Sequence, residues 1–524
     1  MPPSSLPLRL LHWLAYTIVL LLVAAPMGAC LVELFGRTAN ERQSAQTFVE
    51  MGAWQYFWRG ALAAAGATVL ASCIGFVLAI LRLPRRAKWL ILPALMPLFI
   101  PPTVYGLAWN AFWAPPMDPN AWWGVLRPIV CMGLAYTPLV LVLVAAAKWL
   151  QDPAMDEAAR LASLPWRARV WRIEFPQVQQ ALFAGALSVF LLSFSGFEMS
   201  SALNYMSFPE AIYQRFQETR SLGAPAALAM AGASPAVLLA YFTYRRILSL
   251  AKGQILDLRS TKSFHPTSFL TELASVSMYL IFLIIALCLP LGAMLARTGG
   301  QVSFHAMIKD LLDGLFATLP IITAALAIVL ALGWILADSM MRRVRFSFVI
   351  LVLLFVGIGI APAVIGIGII RFWMRLPDGG FVYGRNAAYI LALAARFTAV
   401  PTLVFLAARY YLPKDFEDSA RLAGIAPLRR HLALLLPMLA FSWIAAATAC
   451  LPLMLGELGA TTLLSAPGTE LLSYRLHSRI HLGPEGYVAS FSILYTVIVL
   501  ALTAILYLTG RWIIGGGRRF HGLS

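Results

Sequence analysis

Charge is the scarcest property of this chain. Asp, Glu, Lys and Arg make up 12% of its 524 residues, against roughly 25% in soluble domains. A chain this poor in charge and 60% hydrophobic cannot cover a water-soluble globule of its length. Cysteine is sparse too. Cys30, Cys73, Cys131, Cys288 and Cys450 all fall in apolar segments, and no C-x-x-C pair occurs. That excludes a disulfide framework and a thiolate metal site, leaving the cysteines as packing residues. The seven histidines are scattered without metal-ligand spacing. The dipeptide Gly-Lys is missing altogether, and with it any G-x-x-x-x-G-K-[ST] phosphate loop. No nucleophile–base pair or acid cluster gathers on one face, so no catalytic residue is assigned. The chain is expected not to be an enzyme and to bind no metal or cofactor itself.

Long apolar runs are what the chain does have. Runs of about 20 apolar residues recur, each long enough to cross a bilayer as a helix. The expectation is an all-α polytopic membrane protein, because backbone groups in lipid must be satisfied within each segment. The short alternating segments of a β-barrel are absent. Twelve spans are predicted, near 10–32, 60–81, 89–111, 128–150, 179–204, 225–248, 271–296, 314–338, 347–370, 387–411, 437–464 and 486–512. The first is long for a signal peptide and has no A-x-A site after it, so it reads as a span.

The net charge of +17 would suggest nucleic acid in a soluble protein. In a membrane chain it reads as the positive-inside bias, and no nucleic-acid partner is expected. Most of the 40 Lys and Arg fall in one alternating set of loops, including Arg82, Arg85, Arg86, Arg167, Arg169, Arg245, Arg246, Arg342, Arg343, Arg429 and Arg430. That side is expected to be cytoplasmic, with both termini on it. The opposite loops carry aromatic pieces such as Trp54-Gln55-Tyr56-Phe57-Trp58 and Trp122-Trp123, which suit the membrane–water interface and contact with lipid.

The chain also repeats itself at half its length. Asp156-Glu157-Ala158-Ala159-Arg160-Leu161-Ala162-Ser163 matches Glu417-Asp418-Ser419-Ala420-Arg421-Leu422-Ala423-Gly424 at a shift of 261. Pro176 matches Pro437, and Tyr136-Thr137 matches Phe397-Thr398, at the same shift. Pro102-Thr103-Val104-Tyr105-Gly106 matches Pro362-Ala363-Val364-Ile365-Gly366 at 260. Six spans per half is an even number, so the halves should be parallel repeats about an axis along the membrane normal. The expected division is 1–255, with a polar loop at 151–178; a cytoplasmic linker at 256–270; and 271–524, with a polar loop at 412–437.

Each polar loop combines a helix start, a small flat patch of alanines and an acidic residue beside it. Ser163 and Gly424 would permit a tight bend, and Pro176 and Pro437 would mark the return into the membrane. Glu198 and Glu457 sit at the outer ends of the fifth and eleventh spans. Acids near membrane depth are costly and suggest a pathway role, here favouring a cationic solute. Structural carboxylates hydrogen-bonded near helix ends are the other reading. Arg396, within the tenth span, either pairs with an acid or snorkels.

With these residues in view, the chain resembles the permeases of binding-protein-dependent ABC importers. Glu157-Ala158-Ala159, a residue permitting a bend four positions on, and a later proline look like the EAA loop of that family. The two-in-one layout resembles its fused permeases for ferric iron, thiamine and related solutes, and Gly456-Glu457-Leu458-Gly459-Ala460-Thr461 is similar to that group. The resemblance covers nearly the whole chain and implies the type I importer fold. It implies that Glu157, Ala158, Ala159, Ser163, Asp418, Ser419, Ala420 and Gly424 contact two copies of a separate ATPase subunit that uses ATP and Mg. It further implies a periplasmic solute-binding protein and a bacterial inner-membrane location. Ser163 replaces the family's usual glycine, and Asp418-Ser419 replace Glu-Ala. Ferric iron is the leading solute, with thiamine, phosphonate and polyamine open. A secondary transporter driven by an ion gradient, with six-plus-six repeats, is the alternative.

Overall fold

A computed structural model describes residues 6–34, 52–81, 83–113, 122–149, 161–219, 234–251, 269–299, 304–342, 344–373, 386–410, 412, 414–466 and 468–520. Among these the regular structure is entirely helical, as backbone hydrogen-bonding in lipid demands. Seven helices are long and apolar enough to cross a bilayer, and up to eleven if each of four bent pairs is one span. The chain is a polytopic α-helical membrane protein. The sixth expected span, 225–248, is not among them. Residues 225–233 lie outside the described residues, and the helix that follows is Ser234–Ala251.

Two compact units form, and neither is continuous in sequence. One comprises Met1–Met51, Ile212–Ala233 and Gly299–Ser524; the other comprises Gly52–Ala211 and Ser234–Thr298. In the first, the N-terminal span packs with later residues: Gly368 lies so close to Pro26 that a Cβ there would stand 2.7 Å from the Pro26 carbonyl oxygen. In the second, span Phe269–Ala296 reaches back to earlier helices. Tyr279 donates to the Leu78 carbonyl at 3.0 Å and Tyr105 donates to the Ala286 carbonyl at 2.8 Å.

The local breaks follow from proline. Helix Ile91–Phe99 ends at Ile100 and Pro101, both with extended ψ, and Pro102 opens the next helix at a bend of 97°. A residue before proline is pushed out of the α region, and proline suits a first helical turn. Pro362 opens helix Pro362–Trp373 in the same way, at a bend of 109°. These are the two matching sequence segments, so a shared motif gives a shared break.

Four π-turns tell a similar story: Leu20–Ala24, Val170–Glu174, Ile284–Cys288 and His431–Leu435. Each is followed two residues on by a proline, namely Pro26, Pro176, Pro290 and Pro437. A proline in a helix lacks its N–H and clashes with the carbonyl four residues back. A π-turn supplies one extra residue and relieves that clash. Pro176 therefore breaks no helix. It sits inside the continuous span Arg167–Ser195. Pro437 likewise lies within a helix, and the break comes two residues later at Leu439, with a 66° bend.

Candidate functional site

The second polar loop is largely described and the first only in part. Glu157, Ala158 and Ala159 lie outside the described residues. In the second loop, helix Lys414–Leu422 carries the motif. Ala420 is buried, whereas Asp418 and Ser419 are exposed. The helix closes with Gly424 at φ +70, and the Ile425 N–H donates to the Ala420 carbonyl at 3.1 Å. That is the left-handed closure glycine supplies at low cost. Ser163 adopts φ +53 at the corresponding place. Both bends expected from the sequence are present, and Ser163 makes its bend without glycine's freedom.

The two bends also leave an apolar residue in the open. Leu161 is 87% exposed and Leu422 is 90% exposed, again 261 positions apart. Each stands two residues before its left-handed turn, among basic residues rather than in a span. Water is a poor neighbour for such a side chain.

Neighbouring acids of the motif divide their work. Glu417 turns toward the helices, 3.6 Å from Arg342 Nη2 and 3.7 Å from Arg409 Nη2. Asp418 faces out, and among the described residues its ion-pair partner is Arg421, at 3.5 Å. Lys148 stands at the repeat position of Arg409, and it bonds Glu174 Oε2 at 2.9 Å and the Ile80 carbonyl at 3.0 Å. Basic side chains thus hold the chain beside both polar loops.

The two outer acids differ from each other. Glu457 is buried and accepts hydrogen bonds from the Arg396 guanidinium and, at 3.0 Å, from the Ala460 N–H. Of the two readings of Arg396, the structure shows pairing, and its charge offsets that of Glu457. Glu198 is also buried, but its Oε2 accepts the Phe197 N–H at 3.1 Å, and no basic side chain pairs with it among the described residues. Ala135 holds the place that Arg396 has in the other half. The short helices beside these acids receive the half-helices opened by Pro102 and Pro362. A Cβ on Gly106 would lie 2.7 Å from Ala202 Cβ, and one on Gly366 would lie 3.3 Å from Leu463 Cδ1.

Two acids escaped the sequence reading. Glu210 opens helix Phe208–Thr219 in a Ser207-x-x-Glu210 spacing that suggests a capping box. The box is not closed: Ser207 Oγ and Glu210 Oε2 are both buried without a hydrogen-bond partner. Burial pushes the Glu210 carboxyl up to about 8, against a smaller opposing effect of a hydrogen bond with Ser201. Asp338, two-hundredths exposed near the end of helix Phe304–Arg342, contacts His12, Arg342, Arg409 and His431. An acid at the end of an apolar span was the only signal available for it.

At the opposite end of helix Phe304–Arg342 a pocket of about 430 Å³ is lined by Lys309, Asp310, Asp313, Arg479 and Tyr487 among others. Asp310 is taken up by Arg475, Arg479 at 3.1 Å and the Tyr487 hydroxyl at 2.8 Å. No group of three metal-ligating side chains occurs among the described residues. No family model, curated protein or solved structure matches this chain.

Proposed function

We propose that this chain is the transmembrane permease of an ATP-driven, binding-protein-dependent importer, forming the whole pore in two parallel six-span repeats. The observation that carries the reading is the pair of exposed leucines, Leu161 and Leu422, each set two residues before a left-handed turn on the side rich in basic residues. A single exposed leucine needs no explanation. Two at the same point of a repeat suit two copies of one partner, each offering an apolar socket. The outward carboxylate of Asp418, with Glu157 as its sequence counterpart, suits a basic group on the rim of that socket.

The partner is an ATPase, since the chain has no phosphate loop of its own. Its closure would push both polar loops and move the spans between inward- and outward-open arrangements. A solute-binding protein would deliver cargo on the far side. The bent half-helices beginning at Pro102 and Pro362 support a path between spans, because broken helices at membrane depth are tolerated where they line a cavity or are buried in protein. A cationic cargo such as ferric iron draws support from Glu198 alone, because Arg396 neutralises Glu457.

The test is co-purification of the chain with a separate ATPase subunit, followed by uptake in vesicles. The double variant Glu157→Lys with Asp418→Lys should keep the membrane protein folded while stripping ATP-driven uptake. Absence of any bound ATPase, or unchanged uptake in the double variant, overturns the reading.

A further inference from the structure

The buried carboxylate of Asp338 meets four basic side chains among the described residues, two arginines and two histidines. Its Oδ2 lies 2.9 Å from His12 Nε2 and 2.9 Å from Arg342 Nε. Its Oδ1 accepts the Arg409 guanidinium and stands 3.6 Å from His431 Nε2. One buried carboxylate thus ties the N-terminal span to helix Phe304–Arg342, helix Ala399–Tyr410 and the π-turn His431–Leu435. The same two arginines reach out to Glu417 on helix Lys414–Leu422. Asp338 and Glu417 therefore share Arg342 and Arg409 between them, one carboxylate inside and one at the rim.

The wall of this cluster is stiff. The Arg409 guanidinium lies 5.9 Å from the Trp334 ring centre, and Trp334 packs against Phe405 and Trp443. Removing the counter-charge from a buried arginine is strongly unfavourable, so the arginines must follow whichever carboxylate moves. The arrangement is also one-sided. At the matching positions of the other compact unit, Val77 stands for Asp338 at a shift of 261, and Val276 stands for His12 at the shift of 264 that relates Pro26 to Pro290. A clamp required by the spans themselves would be needed in both units.

We infer that Asp338 is a positioning residue that makes the N-terminal span follow the motion of helix Lys414–Leu422, with His12 as the last link. The inference rests on the permease reading above. The direct test compares His12→Ala, His12→Gln and the unaltered chain in complex with its ATPase, measuring ATP hydrolysis and solute uptake together. Glutamine retains an N–H donor for Asp338 and alanine does not. His12→Ala should move about five- to tenfold less solute per ATP at an unchanged hydrolysis rate, and His12→Gln should restore most of it. Unchanged uptake per ATP, or hydrolysis and uptake falling in the same proportion, overturns the inference, because the second result is what a merely structural histidine gives. A double-mutant cycle of His12→Ala against Glu417→Gln in thermal unfolding needs no ATPase and separates the two readings. Non-additive losses support the linkage even where no ATPase co-purifies, and additive losses overturn it.

Discussion

Arg396 and Glu457 show how much one residue's surroundings decide. Both are buried, and each is tolerable only because the other is present. Arg396→Ala should cost about 3–5 kcal/mol by stranding the Glu457 charge. The double variant Arg396→Met with Glu457→Gln should lose less than either single change, as read by thermal unfolding in detergent. Glu210 has the opposite problem, a carboxyl held in the neutral form by burial. Its folded value near 8 lies above the ordinary value of 4.5. Between those pH values the folded chain keeps a proton that the unfolded chain has released. Stability should therefore fall as pH rises through that window. Glu210→Gln should flatten the dependence of melting temperature on pH from 5 to 8. Neither acid's fate was legible in the sequence. Glu198 and Glu457 look alike in the chain, and only the presence of Arg396 against one and Ala135 in the other half tells them apart.

Individual elements were more legible where backbone chemistry is local. The breaks at Pro102 and Pro362 follow from two short segments alike in sequence, and both segments break. The left-handed turns at Ser163 and Gly424 were expected at those residues and occur there. Gly424 has open space around its Cα, so a substitution there meets only backbone strain. Gly424→Val should cost about 1–2 kcal/mol, and Gly424→Asn clearly less, because asparagine visits the left-handed region more readily. Melting temperatures of the two variants check this directly. Pro176 and Pro437 show that a proline can mark a helix end or a helix that has made room for it. Which applies depends on whether the preceding turn widens. The four π-turns show that here it does.

For the whole molecule, the side of the membrane is the first thing to check. Ser419→Cys on helix Lys414–Leu422 should react with an impermeant maleimide from the cytoplasmic side only. Lys309→Cys, at the other end of helix Phe304–Arg342, should react from the outside only. Labelling of both from one side would overturn the orientation. By itself the sequence determined the membrane class and the helical backbone, and it shows matching segments about 261 residues apart. These rest on apolar run length, on the demand that backbone groups be satisfied in lipid, and on direct identity of residues. The tertiary structure alone decided which acids are paired, that Glu417 faces inward while its neighbour Asp418 faces out, and that the N-terminal span joins a unit with residues 299–524. Those outcomes depend on contacts between positions hundreds of residues apart, such as His12 with Asp338. Hydrophobic periodicity carries no record of them, because a buried ion pair is specified by both partners at once.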